Sequence, residues 1–176
     1  GSDQNICFND STSVNVSGNA SSYSWNNGIS DNSPFLVVST QDYIVTGINN
    51  ISNCSNKDTL TVNVINLPII DASQDDSLCI GDSVQISASG ALNFIWSPNN
   101  NISNNTLNDP FVFPSVLTQY IVTGTDLNNC SNSDTVEISI KKSPIVTTSN
   151  NSSICLGDTI TIFATGGVSY TWLNTD

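Results

Sequence analysis

Between positions 83 and 89 the chain alternates strictly, with Val84, Ile86 and Ala88 apolar and Ser83, Gln85, Ser87 and Ser89 polar. Successive side chains of a β-strand point to opposite faces, so this stretch predicts a strand with one face in a core and the other in water. The same period of two puts Phe94 and Trp96 on one face of the next strand and Tyr120 and Val122 on one face of another. It also sets Val136, Ile138 and Ile140 inward against Thr135, Glu137 and Ser139. Short runs at 68–72 and 110–114 bring the total to about seven strands in roughly 75 residues, the density of an antiparallel sandwich. No segment of helical period and length competes.

The pattern repeats. Cys79 recurs as Cys155, Cys54 as Cys130 and Pro68 as Pro144, each 76 residues later, while Tyr43 and Tyr120 both open Tyr-Ile-Val-Thr-Gly. Cys7-Phe-Asn-Asp10, Cys79-Ile-Gly-Asp82 and Cys155-Leu-Gly-Asp158 are each followed 17 or 18 residues on by Trp25, Trp96 or Trp172. A unit this long exceeds most solenoid repeats and predicts a string of domains. We divide the chain into repeat 1 (1–66, without its first strand), repeat 2 (67–141, complete) and repeat 3 (142–176, truncated), a window of a longer array. The expected fold is all-β, tandem immunoglobulin-like (PKD/fibronectin-III-like) β-sandwiches. Trp25, Trp96, Trp172, Tyr43 and Tyr120 are expected in the cores, with Tyr23 and Tyr170 inward beside their tryptophans.

Composition narrows the function. Lys57, Lys141 and Lys142 face fifteen acidic side chains, for a net charge of −12. That balance cannot neutralise a run of phosphates, so neither nucleic acid nor an anionic membrane surface is an expected partner. No stretch approaches the roughly 20 apolar residues of a membrane span, so no membrane insertion is expected. There is no histidine, hence neither the usual general base near neutral pH nor the commonest metal ligand. An enzyme is not expected, nor a cofactor. Polarity comes mostly from amides and hydroxyls, but the apolar residues are β-branched or aromatic and arrive in alternating bursts, which disordered segments lack.

The order Cys-x-Gly-Asp-Ser-Val-x-Ile-x-Ala-Ser-Gly from Cys79, aromatic-x-Trp-Ser-Pro at 94–98 and Thr-x-Tyr-Ile-Val-Thr-Gly-Thr-Asp-x-x-x-Cys at 118–130 carries a resemblance. It is similar to the Ig-like and PKD-like repeats of very large secreted proteins of the Bacteroidota, including gliding-motility adhesins of the SprB kind exported by the type IX pathway. The resemblance spans all three copies. It implies a surface-displayed stalk or adhesin segment, extracellular and outer membrane-associated. The partners it implies are neighbouring repeats of the same longer chain, the secretion and surface-anchoring machinery, and a surface glycan or polysaccharide. Repeat 1 departs with Asn9 in place of Gly and with Thr12-Ser13 in its first alternating strand, so its edge is expected to be looser.

Five cysteines in such a chain point to disulfides rather than zinc, since no Cys-x-x-Cys pair exists. Two pairings stand. Internal pairing joins Cys7 to Cys54 and Cys79 to Cys130. In an immunoglobulin-like topology, however, Cys79 and Cys130 fall at opposite ends of a sandwich, roughly 23 Å apart along a seven-residue strand. The alternative is an inter-repeat staple from Cys7 to Cys130. In both, Cys155 is unpaired.

Asp71, Asp75 and Asp76, and Asp126 and Asp134 around Cys130, are candidate calcium ligands; repeat 3 does not reproduce the first cluster, which favours solvated acidic loops. Asp followed by Ser or Thr and then an aliphatic residue or Thr resembles the Bacteroidota O-glycosylation signal, marking Ser11, Thr59, Ser77, Ser83, Thr135 and Thr159. The competing reading is a strand-starting turn, with Asp bonding its own backbone. The function expected is a structural spacer that extends a distal binding tip for surface attachment or gliding. The alternative is a glycan-binding accessory module of a secreted multidomain hydrolase, which needs exposed aromatics.

Overall fold

The computed structural model describes residues 1–173. Repeat 1 contributes β1 (Gln4–Cys7), β2 (Ser11–Thr12), β3 (Ser22–Trp25), β4 (Phe35–Leu36), β5 (Gln41–Ile48) and β6 (Ser55–Ile65). Repeat 2 contributes β7 (Asp71–Ala72), β8 (Asp76–Cys79), β9 (Val84–Gln85), β10 (Ala88–Ser89), β11 (Asn93–Ser97), β12 (Phe111–Val112), β13 (Thr118–Thr125) and β14 (Ser131–Lys141). Among the described residues β15 (Thr147–Thr148) and β16 (Ala164–Thr165) follow.

Each of the first two repeats has one four-stranded sheet, ordered β1-β6-β5-β3 and β11-β13-β14-β8. The central pairs are long antiparallel hairpins, and the edge strands β1 and β8 run parallel to β6 and β14. The facing layer consists of the short ladder β2–β4 in repeat 1 and the ladders β7–β10 and β9–β12 in repeat 2. This is an all-β, immunoglobulin-like sandwich. A carboxylate pins each parallel edge: Asp3 Oδ1 accepts from the Thr61 N–H and Asp75 Oδ1 from the Glu137 N–H, both at 2.8 Å.

Two cores result. One gathers Ile70, Leu78, Ile86, Ala88, Trp96, Val112, Tyr120, Val122, Val136 and Ile138; the other gathers Val14, Val37, Tyr43, Leu60 and Val62. Trp96 is 1% exposed, and its indole N–H donates to the Leu107 carbonyl at 2.9 Å, so the ring is buried without stranding its polar atom. Tyr120 likewise donates its hydroxyl to the Asn101 carbonyl. Burial raises the pKa of both Tyr43 and Tyr120 above the ordinary phenol value.

Several expectations need correction. The single strand expected over 83–89 is two: β9 pairs with β12, β10 pairs with β7, and the chain changes layer partner between them. Trp25 is half-buried, its indole reaching Asp31 Oδ1 at 3.4 Å, because repeat 1 has fewer strands in its facing layer. Trp172 is 52% exposed and Ile160 and Ile162 are exposed, since among the described residues repeat 3 has no counterpart of β13 and β14 to pack on. Tyr23 and Tyr170 do not pair inward. Their hydroxyls turn back to accept the backbone N–H three residues earlier, from Ala20 and Gly167. At the turn after Cys7, Asn9 takes φ +66°, the left-handed region also used by Gly81 and Gly157, and Asp10 N bonds the Cys7 carbonyl at 3.0 Å against 3.1 Å in the other copies, so the Asn for Gly exchange keeps the turn.

Gly90 shows why the complete repeat needs a glycine there. Its φ is +98°, and a Cβ would overlap the Ile69 carbonyl oxygen of the segment leading into β7; Gly166 meets Ile145 in the same way. Gly18, the counterpart in repeat 1, lacks the positive φ and the backbone overlap; a Cβ there would meet only the Tyr23 hydroxyl, at 2.7 Å, which the side chain can yield.

Candidate functional site

The joint between repeats 1 and 2 is where a covalent bond links distant parts of the chain. Cys7 ends β1, opposite Ile65 at the end of β6, and Phe8 N bonds the Ile65 carbonyl at 2.8 Å. The parallel pairing therefore delivers Cys7 beside the point where the chain leaves repeat 1. Cys130 sits in the β13–β14 hairpin at the near end of repeat 2. Asp126 shapes that hairpin, with Oδ1 accepting from the N–H groups of Asn128 (2.8 Å) and Cys130 (2.9 Å), while Asn129 takes φ +63°. Cys130 is 1% exposed and bonded to Cys7, with the Cα atoms 5.5 Å apart and a sequence separation of 123. The inter-repeat staple is the pairing present; Cys54 and Cys79 are exposed free thiols, as is Cys155.

A second contact lies beside the staple. Asn132 Nδ2 donates to the Pro68 carbonyl at 3.0 Å, tying the hairpin to the linker. The two domains are thus held by the covalent linker and by the disulfide, so bending about the linker would have to deform the hairpin as well. Such a bond forms and persists in oxidising compartments.

The carboxylates proposed for calcium do not come together. Among the described residues no group of three or more metal-capable side chains forms. Asp75 and Asp126 use oxygens on backbone N–H groups, as above. Asp134 Oδ2 accepts from Ala72 N and Oδ1 from Thr135 N, both at 2.8 Å; the Ala72 bond, then the Thr135 bond, hold its carboxyl below the ordinary aspartate pKa. Asp76 bonds the N–H of Ser77 at 2.6 Å, and Asp71 lies exposed on β7. Asp58 is the counterpart of Asp134 in repeat 1. Its Oδ2 meets the Gly1 ammonium at 3.1 Å, and that hydrogen bond, with the Thr59 N–H, lowers its pKa.

Of the six hydroxyls in Asp-Ser/Thr pairs, Ser11, Thr59, Ser83, Thr135 and Thr159 are exposed and Ser77 is half-buried. In Asp58-Thr59, Asp76-Ser77 and Asp134-Thr135 the carboxylate binds the next residue's N–H, but these pairs lie within β6, β8 and β14; the turns are at Asp10, Asp82 and Asp158, whose N–H groups bond the carbonyls of Cys7, Cys79 and Cys155. The role of Asp134 in holding β7 to β14 was beyond sequence reading, because Ala72 lies 62 positions away. A repeated Asp after each hairpin cysteine was the only signal.

No family model matches the chain, and no curated protein matches it. Solved structures do. The fibronectin(III)-like modules of Clostridium thermocellum CbhA align at 11% identity with a TM-score of 0.38, covering 80% of this chain and 90% of theirs. The Ig1-2 module of the Drosophila receptor protein tyrosine phosphatase DLAR aligns at 13% and 0.35, covering 80% and 95%. The titin domains z1z2, solved in complex with telethonin, align at 14% and 0.33, covering 80% and 92%. The chain itself is a tandem array of immunoglobulin-like β-sandwiches, as its two four-stranded sheets show. Among the described residues no helix is long and apolar enough to cross a membrane.

Proposed function

We propose that the chain is a stalk segment of a long, secreted cell-surface adhesin of the gliding-motility, SprB-like kind, exported by the type IX pathway in a Bacteroidota cell. The observation that carries this reading is the Cys7–Cys130 bond, which joins two domains rather than the halves of one. A staple of this sort adds stiffness between modules, and stiffness between modules is what a spacer needs to hold a distal tip away from the cell. Its working partners are neighbouring repeats and the secretion and surface-anchoring machinery. A surface glycan or polysaccharide is contacted by the tip, and the repeats themselves work without catalysis or cofactor. The exposed Asp-Ser/Thr hydroxyls suit O-glycosylation of a displayed surface.

Small-angle scattering and surface labelling test this together. Reduction with a mild phosphine should broaden the interdomain distance distribution while each domain stays folded, and antibodies to the chain should label intact source cells but not cells lacking type IX export. An unchanged distribution after complete reduction would remove the stalk argument, and labelling independent of that export route would remove the family assignment.

A further inference from the structure

Each of the first two repeats carries its two cysteines at opposite ends. In repeat 2, Cys79 pairs across from Lys141 at the end of β14, whereas Cys130 immediately precedes Ser131 at its start. Eleven residues of strand lie between those levels, roughly 36 Å at 3.3 Å per residue. Repeat 1 is built alike, with Cys7 at the end of β6 and Cys54 just before Ser55 at its start. The free thiols Cys54 and Cys79 therefore sit at the two outer ends of the stapled pair, too far apart to meet within one chain.

The local backbone is the same at bonded and free positions. Cys7 and Cys79 both end a parallel edge strand and accept the N–H of the Asp three residues on, at 3.0 and 3.1 Å. Cys54 and Cys130 both follow an asparagine with positive φ, +54° at Asn53 and +63° at Asn129, and their carbonyls accept the N–H of the residue that opens the hairpin loop, Asn49 or Asp126. Cys130 differs from Cys54 in being covered, and what covers it is bonded to it. The counterparts of these two free cysteines are thus already joined to each other in the one complete joint of the chain.

We propose that Cys79 and Cys54 are the open halves of further copies of the same staple. Cys79 bonds the hairpin cysteine of a following repeat, Cys54 the strand-end cysteine of a preceding one, and the partner in both cases is another copy of this repeat. This rests on the stalk reading and deepens it: every joint is locked in the same direction, strand end to hairpin, so the contact is head to tail and does not close. Formation is thiol–disulfide exchange. One thiolate attacks a small-molecule disulfide such as oxidised glutathione, expelling one thiolate, and the partner thiolate then displaces the second. Two protein thiols are oxidised to one S–S bond while the oxidant is reduced to two thiols.

The test duplicates residues 67–141 within the full chain, placing a second copy directly before residue 142, with Leu127→Val in the second copy as a mass tag at an exposed position. After refolding in a glutathione buffer, non-reducing peptide mapping should find Cys7 bonded to the first Cys130 and the first Cys79 bonded to the tagged Cys130. Iodoacetamide should label three thiols, as in the original chain, although two cysteines have been added. Adding Cys79→Ser to the first copy should raise the label to four and leave the Cys7 bond intact. A first Cys79 that remains alkylatable, or that bonds Cys54 or Cys155, overturns the proposal. Absence of the Cys7–Cys130 bond in the unduplicated chain would instead overturn the stalk reading beneath it. Burial of both Trp96 copies, read by fluorescence, verifies that each copy has folded, and an unbonded first Cys79 in that folded state is decisive.

Discussion

Replacing Cys7 and Cys130 together by alanine should cost each of the first two repeats about 4 kcal/mol. With the bond intact, repeat 1 cannot unfold freely while repeat 2 stays folded: the segment from Cys7 to Asn66 remains a closed loop of about 60 residues, pinned at Cys130 and at the linker. The converse holds for the segment from Asn66 to Cys130, of nearly the same length. The chain-entropy relation gives about 4 kcal/mol for such a loop, and about 5 kcal/mol for the full Cys7 to Cys130 loop when both repeats unfold together. Removing both sulfurs avoids leaving a buried, unpaired Cys130 thiol. At roughly 1–3 kcal/mol per molar urea, the midpoints should fall by about 1.5 to 4 M. Urea-dependent hydrogen exchange, read separately in β5 and β13 peptides, resolves the two repeats without further mutation. A midpoint shift below about 0.5 M in either repeat would show that the bond does not constrain the unfolded chain as argued.

Trp96→Ala should cost repeat 2 about 3–5 kcal/mol in urea unfolding, whereas Trp172→Ala, at a side chain already 52% exposed, should leave the repeat 2 midpoint unchanged; comparable losses from the two would contradict the separate-core description. Gly90→Ala should lower the melting temperature far more than Gly18→Ala, because only at Gly90 would the new Cβ strike the Ile69 carbonyl; equal effects would mean the Ile69 approach is absent. Asn9→Gly should be neutral within about 0.5 kcal/mol and Asn9→Ala destabilising by about 1 kcal/mol, as the left-handed conformation requires; thermal melts check both. The Asp134 carboxyl has a folded pKa below its unfolded one, so its stabilisation is complete above the ordinary aspartate value near 4 and fades as pH falls through the depressed value. Carboxyl NMR should place its midpoint under the ordinary value, with protection of the Ala72 amide lost over the same window and lost at all pH in Asp134→Ala; an ordinary midpoint would discount the bond to Ala72.

The repeat, its sandwich class and the strands of the main sheets were legible because a strand buried on one face writes its geometry into the chain with a period of two. Tyr120, Val122, Val136 and Ile138 are all 0% exposed, as that period predicts. The polar turn positions were legible too, since the geometry after each strand-end cysteine is local. Only the tertiary structure decided what depends on how distant pieces meet. The alternation at 84, 86 and 88 marks an inward face but not that the strand exchanges β12 for β7 midway, because partner choice leaves no local trace. The tryptophans share one register, yet Trp96 is buried, Trp25 half-buried and Trp172 exposed, because burial is set by how much of the opposing sheet each repeat has to lay over the ring. The two acidic clusters read as weak calcium candidates with solvated loops favoured, but spacing could not show which N–H each would meet: Asp75, Asp126 and Asp134 accept from the backbone of Glu137, Cys130 and Ala72. The choice between internal and inter-repeat pairing was a question of which cysteines share an end of a sandwich, and it was settled where the parallel edge strand carried Cys7 to the hairpin of the next domain.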